Sequence, residues 1–295
     1  MTTATIPQAP AQRRGLRAAG PFLGTVPFFL YTALFLLLPT AIVVIGAFQD
    51  KDGGFSFENI AELGDASVLD ALWNSVVLSL VTAVIGAVVG GVLAYVLTTT
   101  SPTGAMRRLV TAACSVLAQF GGALLAFAFI ATIGANGLIS RFLEDSLGTK
   151  VAPDLLSTLS GLIPVYLYFQ IPLMVIVFLP AVDGLRPQWR EAAETLGGST
   201  WVYWRKIGFP LLMPSFLGSL LLLFANAFSA YATAAALISQ YNPLIALQVR
   251  GKLIAETGLG APNVAKALAL LMVLVVAILM VLYYWLQRRA SRWSR

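Results

Sequence analysis

Six long apolar stretches dominate this sequence, and none carries an ionisable side chain well inside it. They run over about 26–48, 72–97, 109–133, 159–182, 211–237 and 264–286. A helix needs about 20 apolar residues to cross the hydrocarbon of a bilayer, and each stretch reaches that length. Only 11% of the 295 residues are charged and 58% are hydrophobic, with mean hydropathy +0.83. Soluble domains carry roughly a quarter charged residues, so the chain lacks the polar surface of a water-facing globule. The expectation is an all-α polytopic membrane protein with six transmembrane helices. The first stretch is too long for a signal-peptide core and lacks a cleavage site, so it is expected to be retained.

The charges between these stretches predict an orientation. With the N-terminus in the cytoplasm, thirteen of the nineteen Lys and Arg fall on the cytoplasmic side, among them Arg13, Arg14, Arg17, Arg107, Arg108, Arg205, Lys206 and Arg288. Lys51, Arg141, Lys150, Arg250, Lys252 and Lys266 fall outside. Cytoplasmic loops hold the excess of basic residues, so both termini are predicted inside. The net charge of +6 is thereby a matter of topology and not a sign of nucleic-acid binding. Residues 1–20, rich in Ala, Pro, Gln and Arg, read as a disordered cytoplasmic tail, and 21–295 as the membrane domain.

Several chemistries have no residues to carry them. Histidine is absent, and the one cysteine, Cys114, sits in an apolar run, which leaves no disulfide and no metal-ligand spacing. A phosphate-binding loop needs GxxxxGK followed by Ser or Thr; the single Gly-Lys pair, Gly251-Lys252, precedes Leu253. The chain is therefore expected to be no enzyme and to hold no cofactor or metal. Charged groups within spans mark proton relays, and their scarcity argues against a proton-driven pump. No inverted pair of Gly- or Pro-broken spans is evident.

One segment stands out against this background, the charged stretch over 183–209, the longest predicted cytoplasmic connection. Pro187 suits a first helical turn, and the QWREAAETL that follows is built from good helix formers. Arg190 and Glu194 pair at i,i+4, while Trp189, Ala192, Ala193 and Leu196 share the other face. Gly197-Gly198 stops the helix by supplying positive φ. Ser199 or Thr200 then caps a second short helix through Trp201, Tyr203, Trp204 and Ile207, and Pro210 and Pro214 open the next span. Two readings fit this helix–Gly–helix elbow: a docking device whose small pair Ala192-Ala193 admits a close partner, or an interfacial loop anchored by its tryptophans.

The segment resembles the EAA loop of the permease subunits of binding-protein-dependent type I ABC importers. Glu191-Ala192-Ala193 is followed after three residues by Gly197, after nine more by Ile207, and then by Phe209-Pro210. Phe209 stands where the family has Leu, and Gly198 where it commonly has Ala. Gly197 lies 98 residues before Arg295, as the family places it. Asn74-Ser75, Gly90, Ala94-Tyr95 and the stretch Gly134–Gly137 also match. The resemblance implies the six-helix importer permease fold in the bacterial inner membrane. It implies an ATPase subunit dimer that binds ATP and Mg²⁺, an extracytoplasmic solute-binding protein, and a second permease, a related chain in preference to a second copy. It further implies that Glu191 and Gly197 are the central coupling residues, with Ala192 and Ala193 the contact face and Trp201, Ile207 and Pro210 supporting the elbow.

Polar residues in apolar spans point to a pathway, because they are unfavourable in hydrocarbon unless satisfied. Asn226, Ser229 and Thr233 form one helical stripe, joined by Tyr231 and, beyond it, by Ser239 and Gln240. Tyr166, Tyr168 and Gln170 on the fourth span and Gln119 on the third are further candidates. Interhelical hydrogen bonding is the alternative reading for each. The layout is closer to permeases for polyamines, aminoethylphosphonate, ferric ion or thiamine than to sugar permeases, and implies a small hydrophilic solute. The competing classes are a sugar importer permease, an ion-coupled transporter or channel without an ATPase, and a membrane anchor that scaffolds a cytoplasmic complex.

Overall fold

The structure is a computed structural model that describes residues 19–50, 53–148, 152, 154–238, 244–253 and 261–291. The tail before residue 19, and with it Arg13, Arg14 and Arg17, lies outside the described residues, as do Ser239 and Gln240. The described chain is almost wholly helical. The first span comprises α1 (Ala19–Thr32), a π-helical turn over Ala33–Leu37 and α2 (Leu38–Ala47). A short α3 (Glu58–Ala61) precedes the 33-residue α4 (Ala66–Thr98). Then come α5 (Ala105–Gln119), α6 (Gly122–Ile133), α7 (Leu138–Leu147) and α8 (Leu159–Asp183). The elbow holds α9 (Pro187–Thr195) and α10 (Thr200–Tyr203), followed through a π turn by α11 (Phe209–Ser229). The chain continues with α12 (Tyr231–Leu237), α13 (Ile245–Leu253) and α14 (Pro262–Ser291). Among the described residues six helical segments are long and apolar enough to cross a membrane, the third over Gly122–Leu147 and not over 109–133 as expected.

The centre is the packing of α4 on α8 and α11. Ala83, Gly86, Ala87, Gly90 and Ala94 are buried along one side of α4, a small-residue face that lets helix backbones approach. A Cβ on Gly90 would stand 2.6 Å from the Met174 Cβ and 2.7 Å from the Ile171 carbonyl oxygen. No larger residue fits there without moving α8. Apolar burial alone cannot drive helices together in lipid, so close contact of this kind supplies the attraction.

The first span is held at one end only. From Thr25 to Ile45 its side chains are almost all exposed, whereas Gly46 and Ala47 are buried. Past them the backbone is pinned by two amides: Asn59 Nδ2 donates to the Gln49 carbonyl at 2.8 Å and Asn263 Nδ2 to the same oxygen at 2.9 Å. Lys266 Nζ donates to Asn263 Oδ1 at 2.9 Å and lies against Gly46.

Two expected spans are not single helices. The stretch 109–133 divides between α5 and α6 at Phe120-Gly121, and 211–237 divides between α11 and α12 at Ala230. The first break has a local cause. Gly121 N–H bonds back to the Gln119 carbonyl at 3.0 Å, which closes a three-residue turn on Phe120, and Gly122 has φ +73°, a conformation that glycine adopts without strain. The second break falls at Ala230, the best of helix formers, and its cause is tertiary. Discontinuous helices are thus present, contrary to the reading of the sequence.

Candidate coupling elbow and solute pathway

The elbow forms from the signals that predict it. Helix α9 starts at Pro187 in its first turn and carries the Arg190–Glu194 pair, Nε to Oε1 3.0 Å. The Glu194 carboxylate raises the Arg190 guanidinium above its ordinary pKa, and both groups stay exposed. Gly197 has φ +75°; its N–H bonds to the Glu194 carbonyl at 2.9 Å, and the Gly198 N–H reaches the Ala193 carbonyl at 2.8 Å. Those two bonds define a Schellman cap, which satisfies the carbonyls a helix end leaves open. Ser199, and not Thr200, is the next N-cap: its hydroxyl accepts from the Val202 N–H.

Of the coupling candidates, Glu191, Ala192, Gly197 and Pro210 are exposed, and Ala193 and Ile207 are half-buried. Trp201 is 67% exposed and Leu196 88%, so two large apolar side chains stand in the open around the Gly197 turn. Trp204, by contrast, packs edge-on against Tyr95 of α4 at 5.1 Å between ring centroids. The second arm is therefore seated on the bundle, while the first projects from it. An ion pair between Arg107 of α5 and Asp183 at the end of α8 ties two spans together beside the elbow.

The six pathway candidates separate into two groups. Tyr166, Gln170 and Thr233 are buried and bridge helices. Tyr166 donates its hydroxyl to the Ala230 carbonyl at 2.9 Å, and Gln170 Nε2 donates to the Leu223 carbonyl at 2.9 Å. Gln170 Oε1 has no partner among the described residues. The Gly122 N–H donates to Thr233 Oγ1 at 2.9 Å. The last of these bonds satisfies an N–H left open in the first turn of α6, while Tyr166 adds a second donor to the carbonyl that opens α12. Asn226 and Ser229 are exposed and Tyr231 is half-exposed. Asn226 and Ser229 complete an exposed face of α11 that begins with Leu211, Ser215 and Leu222. Tyr168 is half-buried against Phe129, and Gln119 is exposed at the end of α5.

Ser229 and Tyr231 line a groove of about 870 Å³ between α11, α13 and α14. Arg250 of α13 joins them, its guanidinium carbon 6.0 Å from the centre of the Tyr231 ring. Arg250 was not legible as part of this group, because no local pattern links it to Tyr231 across the intervening turn. Gly121-Gly122, which breaks the third stretch, was legible as a dipeptide of helix-breaking residues.

Residues 150–294 match the family described as "Binding-protein-dependent transport system inner membrane component". The spermidine/putrescine transport system permease protein PotB of Haemophilus influenzae is 23% identical over 211 residues, 69% of this chain and 72% of PotB. A crystal structure of a bacterial ABC transporter involved in the import of the acidic polysaccharide alginate superposes with a TM-score of 0.74 at 16% identity, covering 91% of this chain and 95% of that one. The same kind of transporter in complex with an alginate pentasaccharide-bound periplasmic protein gives 0.73 at 16% identity, over 91% and 94%.

Proposed function

The chain belongs to the binding-protein-dependent transport system inner membrane components, and we propose that it conveys the motion of a partner ATPase from the elbow to the solute pathway along a single helix. It is a multi-pass permease subunit of a type I ABC importer and not an enzyme. The observation that carries the coupling reading is continuity: helix runs from Thr200 to Ser229 over 30 residues. The second arm of the elbow and the polar stripe at Asn226 and Ser229 therefore lie on one rigid rod.

In this reading Glu191, Ala192 and Ala193 enter a cleft of the ATPase subunit, with Leu196 and Trp201 as apolar contacts. ATP and Mg²⁺ belong to that partner. Its closure displaces α9, and the Gly197 cap passes the displacement to Thr200 and so to α11. Trp201, Ile207 and Pro210 keep the arm in line with the span. The elbow and both termini face the cytoplasm of a bacterium, in keeping with the thirteen basic residues on that side. A second permease, a related chain, covers the bare face of α11, and an extracytoplasmic binding protein delivers the solute, as the periplasmic protein in the alginate transporter complex suggests. In this reading the solute is small and hydrophilic, of the polyamine, aminoethylphosphonate, ferric ion or thiamine type, and the similarity to PotB supports the first of these.

The test uses the solute found by a ligand screen on the cognate binding protein. Glu191→Ala and Gly197→Asp are each expected to abolish uptake and to weaken co-purification of the ATPase, with membrane insertion unchanged. Normal uptake in both variants would sink the coupling assignment.

A further inference from the structure

The groove beside α11 is apolar along α14, where Met272, Val276 and Met280 line it, and polar only around Ser229, Tyr231 and Arg250. Among the described residues that line it, Arg250 alone carries a formal charge at neutral pH. No carboxylate among the described residues pairs with Arg250; its one described contact is the face of Tyr231. The neighbouring Lys252 differs, since its ammonium donates to Glu62 Oε2 at 3.2 Å and its charge is offset. Helix α13 is held so that Arg250 stays at this position: the Ile245 N–H donates to Ser75 Oγ at 2.9 Å, and Gln248 Nε2 to the Ser67 carbonyl at 2.9 Å.

We propose that this Arg250–Tyr231–Ser229 cluster is an anion-selecting site on the solute path, and that the transported solute carries a phosphonate or carboxylate group. The proposal rests on the reading of Ser229 and Tyr231 as pathway residues. A guanidinium presents forked N–H donors matched to such oxyanions. At 6.0 Å from the centre of the Tyr231 ring the guanidinium is attracted to the ring but makes no hydrogen bond with it, so its donors are available to a ligand. The apolar walls of the groove sharpen the field of this charge, which no described carboxylate offsets, so that it concentrates anions and repels cations. A polyamine would meet this charge with its own.

The experiment uses the assembled importer in proteoliposomes, with Cys114→Ala and Ser229→Cys in this chain. The reaction rate of Cys at 229 is measured with an anionic ethylsulfonate and a cationic trimethylammonium methanethiosulfonate. The anionic reagent is expected to react faster by about tenfold relative to the charge-independent ratio of the two reagents on a small free thiol. That preference should persist in Arg250→Lys, vanish in Arg250→Gln and reverse in Arg250→Glu. A ratio unmoved by these substitutions would overturn the anion site and leave the pathway reading standing. Failure of both reagents to react, while Leu196→Cys at the exposed elbow does react, would overturn the pathway reading itself. Uptake of labelled spermidine by the unsubstituted complex, undiminished or raised by Arg250→Gln, would overturn the proposed solute class.

Discussion

Two interruptions of helix define this molecule, and they are held by opposite means. At the elbow every bond is short-range: Gly198 to Ala193, Val202 to Ser199, Arg190 to Glu194. The elbow is exposed, and water satisfies whatever these bonds leave open. At the paired breaks the bonds span 64 residues from Tyr166 to Ala230 and 111 from Gly122 to Thr233. There the backbone is partly buried among apolar helices, and the Gly122 N–H finds its partner on another helix. A hinge in water can be written into a few consecutive residues. A hinge inside a membrane bundle needs a side chain from another helix.

The largest stability effect is expected at the breaks. Thr233→Val leaves the Gly122 N–H without its partner, at a cost of about 1–3 kcal/mol, and adding Tyr166→Phe removes the second donor to the Ala230 carbonyl, worth about 0.5–1.5 kcal/mol. The thermal midpoint of the purified protein should fall in each single variant and further in the double one. An unchanged midpoint in the double variant would mean that the breaks do not depend on these hydroxyls, and the contrast with the elbow would collapse.

At the elbow the effects are smaller and local. Gly197→Ala meets open space but must hold φ +75°, which costs about 1–2 kcal/mol for a residue with a Cβ. Hydrogen exchange should accelerate at the Gly197 and Gly198 amides while the α4 and α8 amides stay protected; acceleration across the whole bundle would show that the elbow is not a separate unit. Ser199→Ala removes a long N-cap bond of 3.4 Å and should cost about 0.5–1 kcal/mol. Faster exchange at Val202 with an unchanged midpoint is the expected result, and a lowered midpoint would tie the cap to the bundle.

The number of membrane-length segments and the elbow could be read in advance because their signals are local or periodic, whereas the bounds of the third span and the break in the fifth stretch could not. Pro187, Gly197 and Ser199 each occupy the place that their backbone chemistry favours, and the uninterrupted apolar runs leave no soluble alternative. The coupling roles proposed for Glu191 and its neighbours came from resemblance, since an exposed carboxylate on a short helix names no partner. Tyr166, Gln170 and Thr233 illustrate the limit on the other side. As isolated polar residues in apolar runs they fitted a pathway and a packing bond equally well, and periodicity has no term that separates the two.

What the chain determined by itself is its membrane class, its helical content and the shape of its elbow, because long apolar runs, positive-φ glycines and caps act over a few residues. Only the tertiary structure decided that α11 stops before Ala230, that the Thr233 hydroxyl accepts from the Gly122 N–H, and that Arg250 shares a groove with Ser229. Those outcomes depend on which helix lies alongside, and the competition between a helical hydrogen bond and a distant hydroxyl is settled only once the helices have packed.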